Sequence, residues 1–409
     1  MMATDRLHAS SPRIDTRRIG IALAGGGPIG GIYEVGALAA LDEALEGIEL
    51  NDVEFFVGVS SGSLIAATLA NGLTPMALAR MLVGHGADAI FDPDMLLRPA
   101  FAEYGRRLLS LPPIVWSVIC HYFSDPWHLG LSESLQNLGH ALPAGVLDNS
   151  GIDALLRDLF AAPGRTNDFR ELQSRLFLVA TDLDSGASVP FGMPGHDDVP
   201  ISLAVQASAA LPGLYPPVRI GERYFVDGAL IKTLHASVAL RAGAKLLFCI
   251  NPLVPFSVRG KHSEDIPDGA PKRLVDGGLP VVLAQTFRAM IHSRMLTGME
   301  RYRHEFPRSD LILFEPASND AEMFFTNVFS YASRSHLCEH AYQHTRADLY
   351  RRREELEPVL ARHGLRLRLD VLRNKRLSLL GGRFSKGLSE SVGRLESTLE
   401  NLETWLKQQ

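Results

Sequence analysis

The chain is poor in cysteine. Cys120, Cys249 and Cys338 are the three in 409 residues, and they lie far apart. An odd, sparse set argues against a disulfide scaffold, predicts a reducing compartment and shows no metal-ligand spacing, so these residues read as core or incidental thiols. Long apolar runs are missing too. No stretch approaches the roughly 20 apolar residues of a membrane span. No apolar signal core follows the polar, arginine-containing segment from Met1 to Arg18. A soluble or peripheral, cytoplasmic protein is expected, with signal-independent secretion left open. Charge of one sign is also lacking: 41 Lys and Arg stand against 46 Asp and Glu, a net charge of −5, so no global basic field points to nucleic acid. What the chain does have is apolar mass. It is 46% hydrophobic and 21% charged, enough to bury a sizeable core in one large domain with additions or in two domains.

The stretch Phe55-Phe56-Val57-Gly58-Val59-Ser60-Ser61-Gly62-Ser63 carries the strongest local signal. A short apolar run ends in Gly-x-Ser-x-Gly, and the helix-forming run Leu64 to Ala70 follows at once. That is the pattern of a nucleophile elbow, in which a strand turns sharply into a helix and leaves a serine hydroxyl at the helix mouth. Side chains at Gly58 or Gly62 would collide with backbone as the turn tightens. Ser60 is the candidate nucleophile.

A second strand, glycine loop and helix precede it. Ile19 to Ala24 read as a buried strand, Gly25-Gly26-Gly27-Pro28-Ile29-Gly30-Gly31 as a loop, and Ile32 to Leu45 as a helix with Val35, Leu38, Leu41 and Leu45 at helical spacing. The Gly25-x-Gly27-x-x-Gly30 match also fits a dinucleotide fingerprint, with Asp52 or Glu54 as the ribose acid at approximate spacing. The same geometry suits a developing oxyanion. Two consecutive strand-to-helix turns side by side in a parallel sheet favour the oxyanion hole. Pro28 has no N–H, so Gly26, Gly27, Ile29 and Gly30 are the candidate donors.

Further strands are expected at 53–57, 176–182, 224–226 and 246–250, and helices at 75–90, after the Asp148-Asn149-Ser150 cap, and from Pro200 to Leu211. Asn71-Gly72 offers a helix C-cap. Asp182-Leu-Asp184-Ser-Gly186 reads as a turn, because full calcium-loop spacing is absent. The aromatic and proline-rich segment 91–147 reads as cap packing, a lid or a lipid-facing surface.

A serine hydroxyl needs a base within hydrogen-bond reach. Fourteen histidines leave a triad open, with His235, His262 and His292 following in chain order. Asp227, at a strand end before Gly228, could instead reach the serine directly if their strands are neighbours.

The Gly25-to-Gly30 loop, the Gly58-Val-Ser-Ser-Gly62 elbow, Ala180-Thr-Asp-Leu183, Ala207-Ser-Ala-Ala-Leu-Pro-Gly-Leu-Tyr-Pro-Pro217 and Asp227-Gly228-Ala229 occur in that order over residues 19 to 252. In order and setting they resemble the patatin-like phospholipase family. The resemblance implies an α/β fold, a three-layer α/β/α with a mostly parallel central sheet, and a Ser60–Asp227 dyad without histidine. It implies an oxyanion loop at Gly25, Gly26, Gly27 and Gly30, and no cofactor or metal. It further implies a serine acyl hydrolase acting on lipid esters, phospholipid or lysophospholipid foremost, through an acyl-enzyme. Ile29 departs from the family, whose members often carry Arg or Lys there. A non-catalytic scaffold and a nucleotide-binding oxidoreductase are the alternatives.

The resemblance divides the chain into an N-terminal segment 1–18, a catalytic domain 19–252 and a mainly helical region 253–409. In the last part, Val281 to Arg303 and Arg334 to Leu356 read as helices and Leu311 to Phe314 as an edge strand. Arg362, Arg366, Arg368, Arg373, Lys375 and Arg376 form a basic cluster that suits either a solvated face or contact with anionic membrane. Leu388, Val392, Leu395, Leu399, Leu402 and Leu406 make an apolar seam within an amphipathic helix at 383–407, suited to homo-oligomer contact, self-docking or a membrane surface, with Glu396, Glu400 and Glu403 on the polar side favouring the first two.

Overall fold

The computed structural model describes residues 18–83, 98–100, 144–257, 273–325 and 331–379. The segment 383–407, most of 91–147, and the residues Cys120 and His262 lie outside them.

The chain opens with strand β1 (Ile19–Leu23), helix α1 (Gly27–Ala44), the short strand β2 (Leu45–Glu46) and strand β3 (Phe55–Val59). Helices α2 (Ser61–Ala70), α3 (Pro75–Val83) and α4 (Ser150–Phe160) lead to strands β4 (Arg175–Asp182) and β5 (Ser188–Phe191). Helix α5 (Ile201–Ser208), the hairpin β6 (Val218–Ile220) and β7 (Arg223–Asp227), helix α6 (Ser237–Ala242) and strand β8 (Leu246–Ile250) follow. The remainder is α7 (Gly278–Glu305), β9 (Asp310–Phe314), α8 (Glu322–Phe325), α9 (Tyr331–Arg351), α10 (Arg353–Arg362), β10 (Arg366–Leu367) and α11 (Leu369–Arg373).

Among the described residues one eight-stranded sheet runs in the order β6-β7-β4-β3-β1-β8-β9, with β5 paired to β4. The pairs β4–β3, β3–β1, β1–β8 and β8–β9 are parallel, while β5, β7 and β6 add antiparallel pairs at one side. Parallel strands covered on both faces read as continuous apolar runs, and β1, β3 and β8 are buried throughout. Side chains still alternate between faces. Ile19, Ile21 and Leu23 join the larger core with α1, α2, α3, α5 and α9; Ala22 and Ala24 join the smaller one with α6 and α7. The mostly parallel sheet between two helical layers matches the expected three-layer architecture, with a helical C-terminal region present.

The strand expected at 311–314 is found as β9 at the sheet edge, so residues beyond 252 extend the same sheet. Helix α9 packs closely on α1 at Gly36, where a Cβ would lie 2.8 Å from that of Ala341. The described cysteines, Cys249 and Cys338, are fully buried, and burial pushes both thiols up to about 12. Among the described residues no helix is long and apolar enough to cross a membrane.

Candidate active site

Parallel sheets present their strand carboxyl ends on one edge, and ligands gather there. Strand β3 ends at Val59, and α2 begins at Ser61, so Ser60 is the whole turn. Its backbone lies at φ 53° and ψ −124°, a region that side-chain-bearing residues rarely adopt. Such a strained strand-to-helix turn is the elbow predicted from the Gly-x-Ser-x-Gly pattern. Two flanking glycines let it close: a Cβ on Gly58 would lie 2.6 Å from the Gly62 carbonyl oxygen, and one on Gly62 would lie 2.7 Å from that of Ala24.

Two hydrogen bonds fix the turn. The Ser60 N–H donates to the Ser208 hydroxyl oxygen at 2.9 Å, and the Ser63 hydroxyl donates to the Ser60 carbonyl at 2.5 Å. Ser208 ends α5, is fully buried, and donates its own proton to the Val179 carbonyl on β4 at 2.6 Å. The Ala207–Pro217 segment was conspicuous in the sequence, but nothing there marked Ser208 as the residue that pins the elbow.

Asp227 ends β7. Its strand is not the neighbour of β3 expected from the sequence, because β4 lies between them. Asp227 pairs with Ala180, one residue beyond the Val179 that pairs with Val59. The chain then crosses toward β3 at Gly228, where a Cβ would lie 3.3 Å from the Val59 side chain. That crossing brings the carboxylate to the serine. Asp227 accepts from the Ala229 N–H at 2.8 Å, and the Ser60 side chain lies near enough to the carboxylate to favour its charged form. Asp227 is almost wholly buried, and burial raises its pKa from 3.8 to about 6 against the opposing influence of the Ser60 side chain and the Ala229 N–H.

The glycine loop lies over the serine. A Cβ on Gly25 would lie 2.9 Å from that of Ser60 and 3.0 Å from that of Ala229, so no other residue fits there. Gly27, at φ 61°, opens α1. The helix begins five residues before the apolar periodicity that announced it. Its early start removes one expected donor: the Gly30 N–H is engaged by the Gly26 carbonyl at 3.0 Å. Gly26, Gly27 and Ile29 keep their N–H groups unengaged among the described residues. Gly25, Gly26 and Gly27 line the cavity beside Ser60, whereas Ile29 packs against the core.

That cavity has a volume of about 500 Å³. Ser60 and Asp227 sit in its wall with Leu64, Ile65, Val205, Leu214, Phe287 and Ile291. Size and lining suit an apolar small molecule or acyl chain.

Of the candidate histidines, His235 and His292 are among the described residues, and both are engaged with other groups. His235 is buried, with its Nε2 3.3 Å from the Gly228 carbonyl oxygen, and burial lowers its pKa to about 4. His292 faces Glu315 at 3.3 Å. Asp52 and Glu54 precede β3 and so lie at the opposite end of that strand from Ser60 and the glycine loop, away from any group the loop could hold. Asp182 forms no metal loop; it pairs with Arg223, whose Nε donates at 2.6 Å.

A family model described as "Patatin-like phospholipase" matches residues 21–240. The chain therefore belongs to the patatin-like phospholipase family, as the motif order implied. It is 25% identical over 356 residues to an uncharacterized NTE family protein of Mycobacterium bovis, covering 85% of this chain and 50% of that protein. A similar protein of Mycobacterium tuberculosis is 24% identical over 359 residues, with 85% and 50% covered. The chain thus spans about half the length of these curated relatives. Among solved structures, VipD from Legionella pneumophila matches at 15% identity and a TM-score of 0.36, covering 82% of this chain and 66% of that one. The type III effector ExoU of Pseudomonas aeruginosa matches at 15% identity and a TM-score of 0.37, with 83% and 54% covered.

Proposed function

We propose that this protein is a serine acyl hydrolase that cleaves carboxylic ester bonds of lipids, with phospholipid or lysophospholipid as the substrate class. Membership of the patatin-like phospholipase family supports lipid ester hydrolysis in general. The observation that carries the finer reading is the placing of the strained Ser60 and the buried Asp227 together in the wall of one apolar cavity.

Asp227 takes the hydroxyl proton as Ser60 attacks the ester carbonyl. Burial supports this role, since a carboxylate raised to about 6 is a stronger base than a solvated one yet is still ionised at neutral pH. Negative charge develops on the carbonyl oxygen, and the N–H groups of Gly26 and Gly27 are free to receive it. The protonated Asp227 then donates to the leaving alcohol, and an acyl-enzyme remains on Ser60. Water repeats the attack with Asp227 again as base. The acyl chain occupies the apolar cavity, where each buried methylene contributes roughly 0.8 kcal/mol.

The wild-type protein, incubated with phospholipids, lysophospholipids and acylglycerols, is expected to release fatty acid detectable by mass spectrometry, and Ser60→Ala is expected to release none. Equal release by Ser60→Ala would remove the assignment. We also propose peripheral contact with anionic membrane. Arg362 is engaged by Asp310 at 2.8 Å, but Arg366, Arg373, Lys375 and Arg376 are exposed. Sedimentation with anionic but not zwitterionic vesicles, weakened in an Arg366→Glu, Arg373→Glu double variant, is the expected result.

A further inference from the structure

The cavity beside Ser60 is apolar, and the glycine loop brings no cation to it, since its only side chains are those of Pro28 and Ile29. Yet Arg288, from the middle of α7, lines the same wall. Its guanidinium donates to the carbonyls of Val254 at 3.5 Å and Met323 at 3.3 Å, and lies 5.0 Å from the centre of the Phe324 ring. Both carbonyl bonds are long. A guanidinium has five N–H groups, so three are left without an acceptor among the described residues. Burial pulls its pKa below the usual arginine range, with no charged neighbour among the described residues opposing it.

Arg288 is half-buried, and holding a cation against the wall of an apolar cavity without a counter-charge is costly. An apolar cavity of this kind would be filled more stably by Leu or Met at that position. The carbonyls and the aromatic ring hold the guanidinium in place but do not neutralise it. We infer that Arg288 is a headgroup-recognition residue, and that its counter-charge arrives with the substrate as the phosphodiester of a glycerophospholipid. Planar N–H forks match phosphate oxygens, and charge-assisted bonds of this sort are stronger than neutral ones. In a glycerophospholipid the phosphate lies a few bonds from the scissile ester, so Ser60 and Arg288 in one cavity can engage one molecule. The inference rests on the hydrolase reading above and adds to it a residue from outside the segment matched by the family model.

The test compares a lysophosphatidylcholine with a monoacylglycerol of the same chain length in the same neutral detergent micelles. Arg288→Gln is expected to raise KM for the lysophospholipid and to lower the lysophospholipid-to-monoacylglycerol ratio of kcat/KM by roughly ten-fold or more, with Arg288→Lys recovering part of it. An unchanged ratio overturns the inference. So does an outcome in which Arg288→Gln only relieves inhibition by free fatty acid, which would assign the cation to the product carboxylate. Should Arg288→Gln fail to fold, the wild type decides: glycerophosphocholine is expected to inhibit monoacylglycerol hydrolysis competitively while glycerol does not, and no inhibition overturns the assignment. Fluorophosphonate labelling of Ser60 in the wild type keeps the two readings apart. If labelling is absent the hydrolase reading fails; if labelling is present with an unchanged ratio, only the role of Arg288 fails.

Discussion

The backbone N–H of Ser60 donates to the hydroxyl of Ser208 at 2.9 Å, and that hydroxyl donates onward to the Val179 carbonyl at 2.6 Å. The turn is thus tied through α5 to β4, the strand that also pairs with the Asp227 strand. Ser208→Ala leaves a buried donor and a buried acceptor unpaired, each worth about 1–3 kcal/mol. Denaturant unfolding is expected to show a loss of that order. The released turn is expected to lower kcat more than it raises KM for any ester substrate.

The pH dependence of activity is expected to follow Asp227, the proposed base. Its ordinary value of 3.8 is raised by burial to about 6 in the folded chain. The proton-accepting form therefore predominates only above that value, and kcat/KM is expected to rise through about pH 6 and level off above it. Stability carries the opposite sign. The folded state holds this proton more tightly than the unfolded one, so the stabilising contribution is full below 3.8 and is lost as pH rises through about 6. Asp227→Asn is expected to abolish the pH step and to lower turnover by about 10²- to 10⁴-fold.

Strain at Ser60 is separable from chemistry. Ser60→Ala and Ser60→Gly both remove the proposed nucleophilic hydroxyl, but only glycine tolerates φ 53° without penalty. Ser60→Gly is therefore expected to be more stable than Ser60→Ala by about 1–2 kcal/mol in equilibrium unfolding, with both inactive. Equal stabilities would mean that the turn is relaxed in solution.

Glu34 offers an independent check on the packing beneath the glycine loop. It is fully buried on α1, and burial raises its pKa well above 4.5 against an opposing backbone contact at Ala24. Its folded-state stabilisation is present below 4.5 and is lost as pH rises toward the raised value. Glu34→Gln is expected to flatten that decline, making the variant more stable than wild type at alkaline pH, with the difference vanishing below pH 4.5.

The parts of this site that lie close in sequence were legible there, because local patterns report local geometry. The elbow at Ser60, the loop at Gly25 to Gly27 and the strand ending at Asp227 all carry their own signals of glycine placement and apolar runs. Contacts across the fold were not legible. Ser208 stands 148 positions from Ser60. Arg288 sits in a helix whose sequence marks it only as a helix. The intervening β4 was hidden too, because strand order is a property of the sheet and leaves no trace in any one strand. Helix α1 starts at Gly27 rather than Ile32 because Pro28 at its first turn suits a helix start, a signal that apolar periodicity alone overlooks. The same early start is what engages the Gly30 N–H.

The central claim is that Ser60 is a nucleophile activated by Asp227. Labelling with a fluorophosphonate, followed by peptide mass spectrometry, tests it most directly. One adduct is expected on Ser60 in the wild type and none in Ser60→Ala, with labelling slowed by about 10²-fold or more in Asp227→Asn. An adduct on another residue, or undiminished labelling of Ser60 in Asp227→Asn, would contradict it.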